Sequence, residues 1–196
     1  LGIRGDLEGF SPSIMSFIMS AYMLGFIFGG RFTSFLISNV GHVRVFAALA
    51  SMISALIVCF ALFVNPYLWF IFRFLIGICF AGVFVVTESW LNEQSTNINR
   101  GKTMSVYILI QTLGIFVSQI FLNFANPETF VLFGLISVIV SLSFAPILLS
   151  VGPTPIYNVS ETMSLKEVFR ISPFSTVTIV ILGAILSLLF SMTSIF

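Results

Sequence analysis

Long apolar segments without charge constrain this chain more than any other feature. No Asp, Glu, Lys or Arg occurs from Gly9 to Gly30, a run of 22 residues. A helix of about 20 apolar residues crosses the hydrocarbon core of a bilayer. Only 8% of the residues are charged, whereas a soluble domain carries about a quarter. The sequence therefore predicts an all-α integral membrane protein.

Six such segments follow one another, separated by short polar connections. The first five predict helices at about 12–36, 45–64, 67–88, 103–124 and 129–150, and the sixth begins near Pro173. The longest polar connection is 151–172, and we expect it to divide a helix bundle at 1–150 from a further helix at 173–196. The segments thus define two parts of unequal size.

Basic residues are distributed unevenly over the connections. One set of connections holds Arg31, Arg44, Arg100, Lys102, Lys166 and Arg170, whereas the opposite set holds Arg4. The positive-inside rule then places connections 37–44, 89–102 and 151–172 in the cytoplasm, with the protein in the inner (plasma) membrane. Leu1 lies outside in this orientation. A chain that starts in the cytoplasm needs one more helix before it, so we expect a fragment, cut at both ends.

A single arginine, Arg73, lies inside the third apolar segment. An arginine at the centre of a membrane helix costs about 2.5–3.5 kcal/mol, and it normally faces the bundle interior or a wet cavity. Gly77, Phe84 and Glu88 share its helical stripe, but Glu88 is about 22 Å further along the helix, too far to pair. Two interpretations stay open: snorkelling to the near interface, or a buried structural or functional role with a partner elsewhere.

The fourth apolar segment carries a narrow polar stripe. Tyr107, Gln111, Gly114 and Ser118 follow one another at steps of 4, 3 and 4 residues. In lipid, such a stripe must face protein or water, so it indicates either helix packing or the lining of a cavity. We take Arg73, Tyr107, Gln111 and Ser118 as candidate substrate-contacting residues.

Small residues recur in the first segment, at Ala21, Gly25 and Gly29, and this spacing favours close approach of a neighbouring helix. His42, the single histidine, falls in the predicted turn at 37–44. We expect its side chain to be solvated or to face lipid headgroups, rather than to act as a ligand or a proton carrier.

The composition argues against several classes of function. A net charge of +1 gives no basic surface for nucleic acid. One histidine, two isolated cysteines (Cys59 and Cys79) and scattered acids predict neither a metal site nor a cofactor, and they speak against an enzyme.

Three motifs resemble the major facilitator superfamily. The segment around Gly41, His42 and Arg44 is similar to the loop between helices two and three, although Ser38 and Asn39 replace the family's Asp and Arg. RFLIG matches the arginine motif of helix four through Arg73 and Gly77, with Ile76 in place of Gln. Glu93 and Arg100-Gly101 match the pattern E-x6-R-G after helix four. The resemblance implies that the chain holds helices two to six and the start of helix seven.

The segments LGIRGDLEGFS and ESWLNEQSTNINRGK are similar, more narrowly, to the YcaD-like branch, whose members are mostly transporters of unassigned substrate. TLGIFVSQ lacks the Gly-Pro motif of the family's drug antiporters. In the family, the loop charges form a cytoplasmic latch, so the resemblance implies gating roles for residues at these positions. They are Gly41, His42, Arg44, Glu88, Glu93 and Arg100.

The resemblance implies a monomeric secondary transporter in the bilayer. It would move a small molecule by alternating access between two six-helix halves, with or without a coupling ion. A membrane sensor that has a transporter fold but no flux is the main alternative, and an integral-membrane enzyme is a further one.

Overall fold

The structure is a computed structural model that describes residues 1–124, 130–149 and 165–193. All regular secondary structure in these ranges is helical, which confirms the predicted all-α class. The helices are α1 (Gly2–Leu7), α2 (Pro12–Val40), α3 (His42–Leu62), α4 (Pro66–Gln94), α5 (Arg100–Phe124), α6 (Val131–Ser143), α7 (Ala145–Leu149), α8 (Leu165–Ile171) and α9 (Pro173–Thr193). The predicted connection at 151–172 lies outside the described residues as far as position 164.

Five helical segments are long and apolar enough to cross a membrane. They are Pro12–Val40, His42–Leu62, Pro66–Gln94, Arg100–Ile120 and Val131–Leu149. Helices α2 and α4 run further than the predicted apolar segments, to Val40 rather than 36 and to Gln94 rather than 88. The two polar connections predicted to follow these segments are therefore partly helical.

A single residue, Gly41, separates α2 from α3. Its backbone has φ 86° and ψ 162°, a region that is essentially open to glycine alone. The prediction of a turn over 37–44 is therefore wrong in extent. Ile37 to Val40 continue α2, and His42 to Arg44 form the first turn of α3.

Local sequence explains where α2 and α4 begin. Each helix has proline in its first turn, where the missing N–H removes no helical hydrogen bond. Before α2, Ser11 Oγ accepts a hydrogen bond from the Ile14 N–H at 3.4 Å. Before α4, Asn65 Oδ1 accepts from the N–H groups of Tyr67 and Leu68, at 2.9 and 3.3 Å. The Asn65-Pro66 pair thus serves as the N-terminal cap of α4.

Helices α2 and α4 pack backbone against backbone. A Cβ atom on Gly25 would overlap the carbonyl oxygen of Phe74, and one on Gly77 would overlap the carbonyl oxygen of Tyr22. A Cβ on Gly29 would lie 2.6 Å from the carbonyl oxygen of Ile78. Ala21, Gly25 and Gly29 are all buried, so the close approach predicted from their spacing is confirmed.

Two apolar clusters lie at opposite ends of the α3–α4 pair. One contains Ile37, Val45, Leu49, Ile53, Cys79 and Val86. The other contains Ile18, Phe60, Trp69 and Ile76. Trp69 is fully buried, and its Nε1–H donates to the carbonyl oxygen of Phe63 at 2.8 Å. Because Phe63 follows α3, this bond ties the α3–α4 connection to the second cluster.

Helix α6 joins α3 through serine hydroxyls. Ser54 Oγ lies 2.7 Å from Ser137 Oγ and 2.8 Å from Ser141 Oγ. It also donates to the Ser137 carbonyl oxygen at 3.1 Å. Ser54 is 8% exposed, so these contacts satisfy a polar group that would otherwise be costly to bury.

The chain divides into two compact units. The first extends to Tyr157 and contains the packed helices described above. The second contains Asn158–Phe196, and its described part includes α8 and α9.

Candidate functional site

Arg73 lies about two turns into α4, and aromatic side chains of two other helices are its neighbours. Its guanidinium carbon is 6.0 Å from the ring centroid of Phe60 in α3, within the range of a cation–π interaction. Tyr22 of α2 interacts with it electrostatically. The arginine head group is therefore held among aromatic side chains.

One polar atom of Arg73 stays unsatisfied in the described part of the chain. Its Nε is buried and has no hydrogen-bond partner. No Asp or Glu of the described ranges lies within ion-pair distance of its guanidinium. A buried donor without a partner costs about 1–3 kcal/mol, and more when it is charged. Among the described residues, this arginine therefore keeps capacity to bind an anion or another acceptor.

A row of four aromatic rings, Tyr22, Phe26, Phe80 and Phe84, continues from Arg73 along α2 and α4; we call it the aromatic row. Tyr22 lies 6.3 Å from Phe80, Phe26 lies 6.0 Å from Phe84, and Tyr22 and Phe26 are 6.0 Å apart. On α4, Phe80 and Phe84 follow Arg73 by 7 and 11 residues, which puts all three on one helical face.

Sequence reasoning singled out only Phe84 of this row. The spacing of four between Tyr22 and Phe26, and again between Phe80 and Phe84, is a helical signal. However, 24 phenylalanines make such spacings common in this chain. The pairing across α2 and α4 depends on the glycine contacts between the two helices.

The candidate residues of α5 lie apart from Arg73. Tyr107 and Gln111 are half-buried, and Tyr107 interacts electrostatically with Glu88, near the opposite end of α4. Ser118 is exposed and donates to the Ile115 carbonyl oxygen of its own helix at 2.7 Å. Among the described residues, no hydrogen bond or ring contact joins these three side chains to Arg73.

His42 has a different environment from the one expected. It is 1% exposed, and its Nε2 lies 2.8 Å from Ser89 Oγ in α4. Glu93, one turn further along α4, interacts with it electrostatically. The prediction of a solvated side chain is wrong because α3 begins at His42 and α4 extends to Gln94, so the imidazole packs between helices. Sequence reasoning did not identify Ser89.

Four other candidate gating residues lie within a few residues of His42, Ser89 or the start of α5 in the sequence, and their side chains are exposed. They are Arg44, Glu88, Glu93 and Arg100. Ser38 and Asn39, which replace the family's Asp and Arg, bond their own helix. Ser38 Oγ and Asn39 Nδ2 each donate to the Phe35 carbonyl oxygen, at 2.8 Å. The polar contact to α4 comes instead from His42.

The described ranges contain no group of three or more His, Cys, Asp or Glu side chains suited to a metal ion. Cys59 is half-buried and Cys79 is buried in the first apolar cluster. The chemistry that these helices offer is therefore ion pairing, hydrogen bonding and aromatic contact.

Comparison with known proteins identifies the family. The family model described as Major Facilitator Superfamily matches residues 5–196, and the chain belongs to this family of membrane transporters. The resemblance noted from the motifs is thereby confirmed, as is the multi-pass membrane character.

Among curated proteins, the chain is similar to the uncharacterized MFS-type transporter YcaD of Salmonella newport (strain SL254) and of Salmonella typhi. Identity to each is 30% over 111 residues, which cover 57% of this chain and 29% of the relative. The matched segment thus spans less than a third of these relatives. No solved structure gives a significant match.

Proposed function

We propose that this chain forms part of a secondary transporter that moves a small molecule across the inner (plasma) membrane by alternating access. The observation that carries the proposal is Arg73, a charged side chain within an apolar helix whose buried Nε has no partner in the described ranges. Charged residues inside membrane helices mark substrate or ion pathways. Membership of a transporter family supports the same conclusion.

In this proposal Arg73 binds the substrate. Tyr107 and Gln111, half-buried on α5, supply hydrogen bonds nearer the other end of the bundle, and Ser118 extends the same stripe. Transport draws on an ion gradient or on the substrate's own gradient, and the protein acts as a monomer in the bilayer.

Gating in this proposal involves the end of the bundle where α2 meets α3. The positive-inside rule puts this end in the cytoplasm, with connections 37–44, 89–102 and 151–172. Gly41 fixes the turn, and the contact between His42 and Ser89 ties it to α4. Arg44, Glu88, Glu93 and Arg100 provide exposed charges that can change partners as the cytoplasmic face opens and closes.

The test uses the full-length protein in proteoliposomes. Uptake of a pool of metabolites is measured with and without an imposed proton gradient. We expect at least one compound to accumulate, and we expect Arg73→Ala and Arg73→Lys to reduce that uptake, since lysine keeps the charge but loses the planar fork. Arg31→Ala is the matched control, because Arg31 is an exposed arginine of α2.

Two results would contradict the proposal. Unchanged uptake in both Arg73 variants, at equal amounts of protein in the membrane, would remove Arg73 from the transport pathway. Specific binding of a compound with no flux, from protein verified as folded, would favour a membrane sensor with a transporter fold.

A further inference from the structure

We propose that the site at Arg73 takes an amphiphilic carboxylate, with its charge on the guanidinium and its apolar body along the aromatic row. This inference rests on the proposed transport function and specifies its substrate class. The expected ligand is a water-soluble aryl-alkyl acid, rather than an inorganic anion, a sugar or an organic cation.

The sign of the charge follows from the groups around Arg73. The described carboxylate nearest to it along α4 is Glu88, about 22 Å further on. The guanidinium contacts the Phe60 ring and has Tyr22 as an electrostatic neighbour, and neither neutralises it. A carboxylate can accept two hydrogen bonds from the planar fork of N–H donors in arginine. The attraction between the two charges is stronger where water is scarce. A cationic ligand would meet an unneutralised positive charge.

The apolar body follows from the aromatic row. Phe84 lies 11 residues beyond Arg73, which corresponds to about 16 Å of helix. The rings of Tyr22, Phe80 and Phe84 are half-buried and Phe26 is 37% exposed, so all four keep surface that a ligand can cover. Aromatic rings favour edge and offset contacts with another ring, which selects an aryl group over a polar one.

The close approach of α2 and α4 holds the row in place. A Cβ on Gly77 would overlap the carbonyl oxygen of Tyr22 and lie 2.9 Å from the backbone nitrogen of Phe26. The backbones that carry the first two rings are therefore in direct contact with α4. A site fixed in this way loses less conformational freedom when a ligand binds.

The experiment measures equilibrium binding to the full-length protein in phosphatidylcholine nanodiscs. The probe is radiolabelled 4-phenylbutyrate, and two analogues compete with it: 4-phenylbutan-1-ol keeps the ring without the charge, and butyrate keeps the charge without the ring. We expect each analogue to bind at least about tenfold more weakly than the probe, because each lacks one of the two contacts.

Variants assign the two contacts to residues. We expect Arg73→Gln to weaken binding of 4-phenylbutyrate at least about tenfold while leaving the weak binding of the alcohol unchanged. Phe80→Leu should weaken binding of the probe severalfold and leave butyrate binding unchanged, because Phe80 lies seven residues beyond Arg73, about 10 Å of helix, within reach of the phenyl ring of the probe. Arg31→Gln, a change at an exposed arginine, should alter neither. The Phe80 variant keeps the test decisive if Arg73→Gln fails to fold.

Equal binding of acid and alcohol, or full binding of the acid by a folded Arg73→Gln, would overturn the inference. The inference would also be overturned if added phosphatidylglycerol displaced the probe from the wild-type protein but not from Arg73→Gln, since Arg73 would then bind a lipid headgroup. Flux of other compounds without binding of the probe would overturn this inference alone. Binding of the probe without any flux would contradict the transport function and leave the binding site established.

Discussion

His42 and Ser89 connect the first turn of α3 to the C-terminal part of α4, with 2.8 Å between His42 Nε2 and Ser89 Oγ. In this chain Ser38 and Asn39 bond their own helix, so the polar contact from this turn to α4 is made by an imidazole and a hydroxyl. Both partners belong to helices that are long and apolar enough to span a membrane, and His42 is buried. The contact therefore fixes the position of the α2–α3 turn against α4.

Removal of this hydrogen bond should destabilise the bundle. Ser89→Ala removes the hydroxyl that contacts a buried imidazole nitrogen, and loss of such a buried hydrogen bond costs about 1–3 kcal/mol. The free energy of unfolding of the full-length protein in detergent, from denaturant titration, measures the effect. Ser51→Ala is the control, because the exposed Ser51 hydroxyl donates only to Ala47 of its own helix. Equal stability of the two variants would show that the contact contributes nothing.

A side chain at Gly41 should be destabilising, for a reason of backbone conformation rather than space. With φ 86° and ψ 162°, an L-residue is strained there by about 1–3 kcal/mol, although a Cβ at this position would meet no atom of the described ranges within 4 Å beyond its chain neighbours. We expect Gly41→Ala to lower the unfolding free energy by that amount. Gly30→Ala, in the body of α2 with equally open surroundings, should be neutral or stabilising. A Gly41→Ala protein as stable as wild type would contradict the assigned turn.

Gly77 should be sensitive for the opposite reason. Its backbone is helical, but a Cβ there would overlap the Tyr22 carbonyl oxygen, which cannot move aside as a flexible side chain could. Gly77→Ala must force α2 and α4 apart, and we expect a loss of about 1–3 kcal/mol in unfolding free energy. Gly114→Ala in α5 is the control, since a Cβ on Gly114 has open space around it among the described helices. Similar melting temperatures for both variants would argue against backbone contact between α2 and α4.

Some of this architecture could be predicted from local sequence. Uncharged apolar runs predict the helices, and the spacing of Ala21, Gly25 and Gly29 predicts the face along which α2 approaches a neighbour. These properties depend on residues within one helix. Small residues that recur every four positions also leave few alternatives for close packing.

Other features could not be predicted because they depend on which helices are neighbours. His42 follows a glycine among polar residues, and its burial depends on the start of α3 at His42 together with the extension of α4 to Gln94. The aromatic row combines Tyr22 and Phe26 with rings that lie more than fifty residues later in the chain. No periodicity within α2 specifies those partners. The sequence identified Arg73 as unusual, but its neighbours Phe60 and Tyr22 became evident only from the packing.

Ser54 provides a final test of how α3 holds α6. Its hydroxyl meets those of Ser137 and Ser141 at 2.7 and 2.8 Å, and hydrogen bonds between membrane helices average about 0.6 kcal/mol, up to about 1.7. Since Ser54→Ala removes the shared member of both contacts, we expect a loss towards the upper end of that range in unfolding free energy. Ser143→Ala is the control, because the exposed Ser143 hydroxyl donates to Val140 of its own helix.

A second measurement tests whether the three hydroxyls act together. When Ser54 is already alanine, adding Ser137→Ala and Ser141→Ala should lower the unfolding free energy no further, because the same contacts are lost only once. Additive losses would mean that these serines stabilise α6 through other groups.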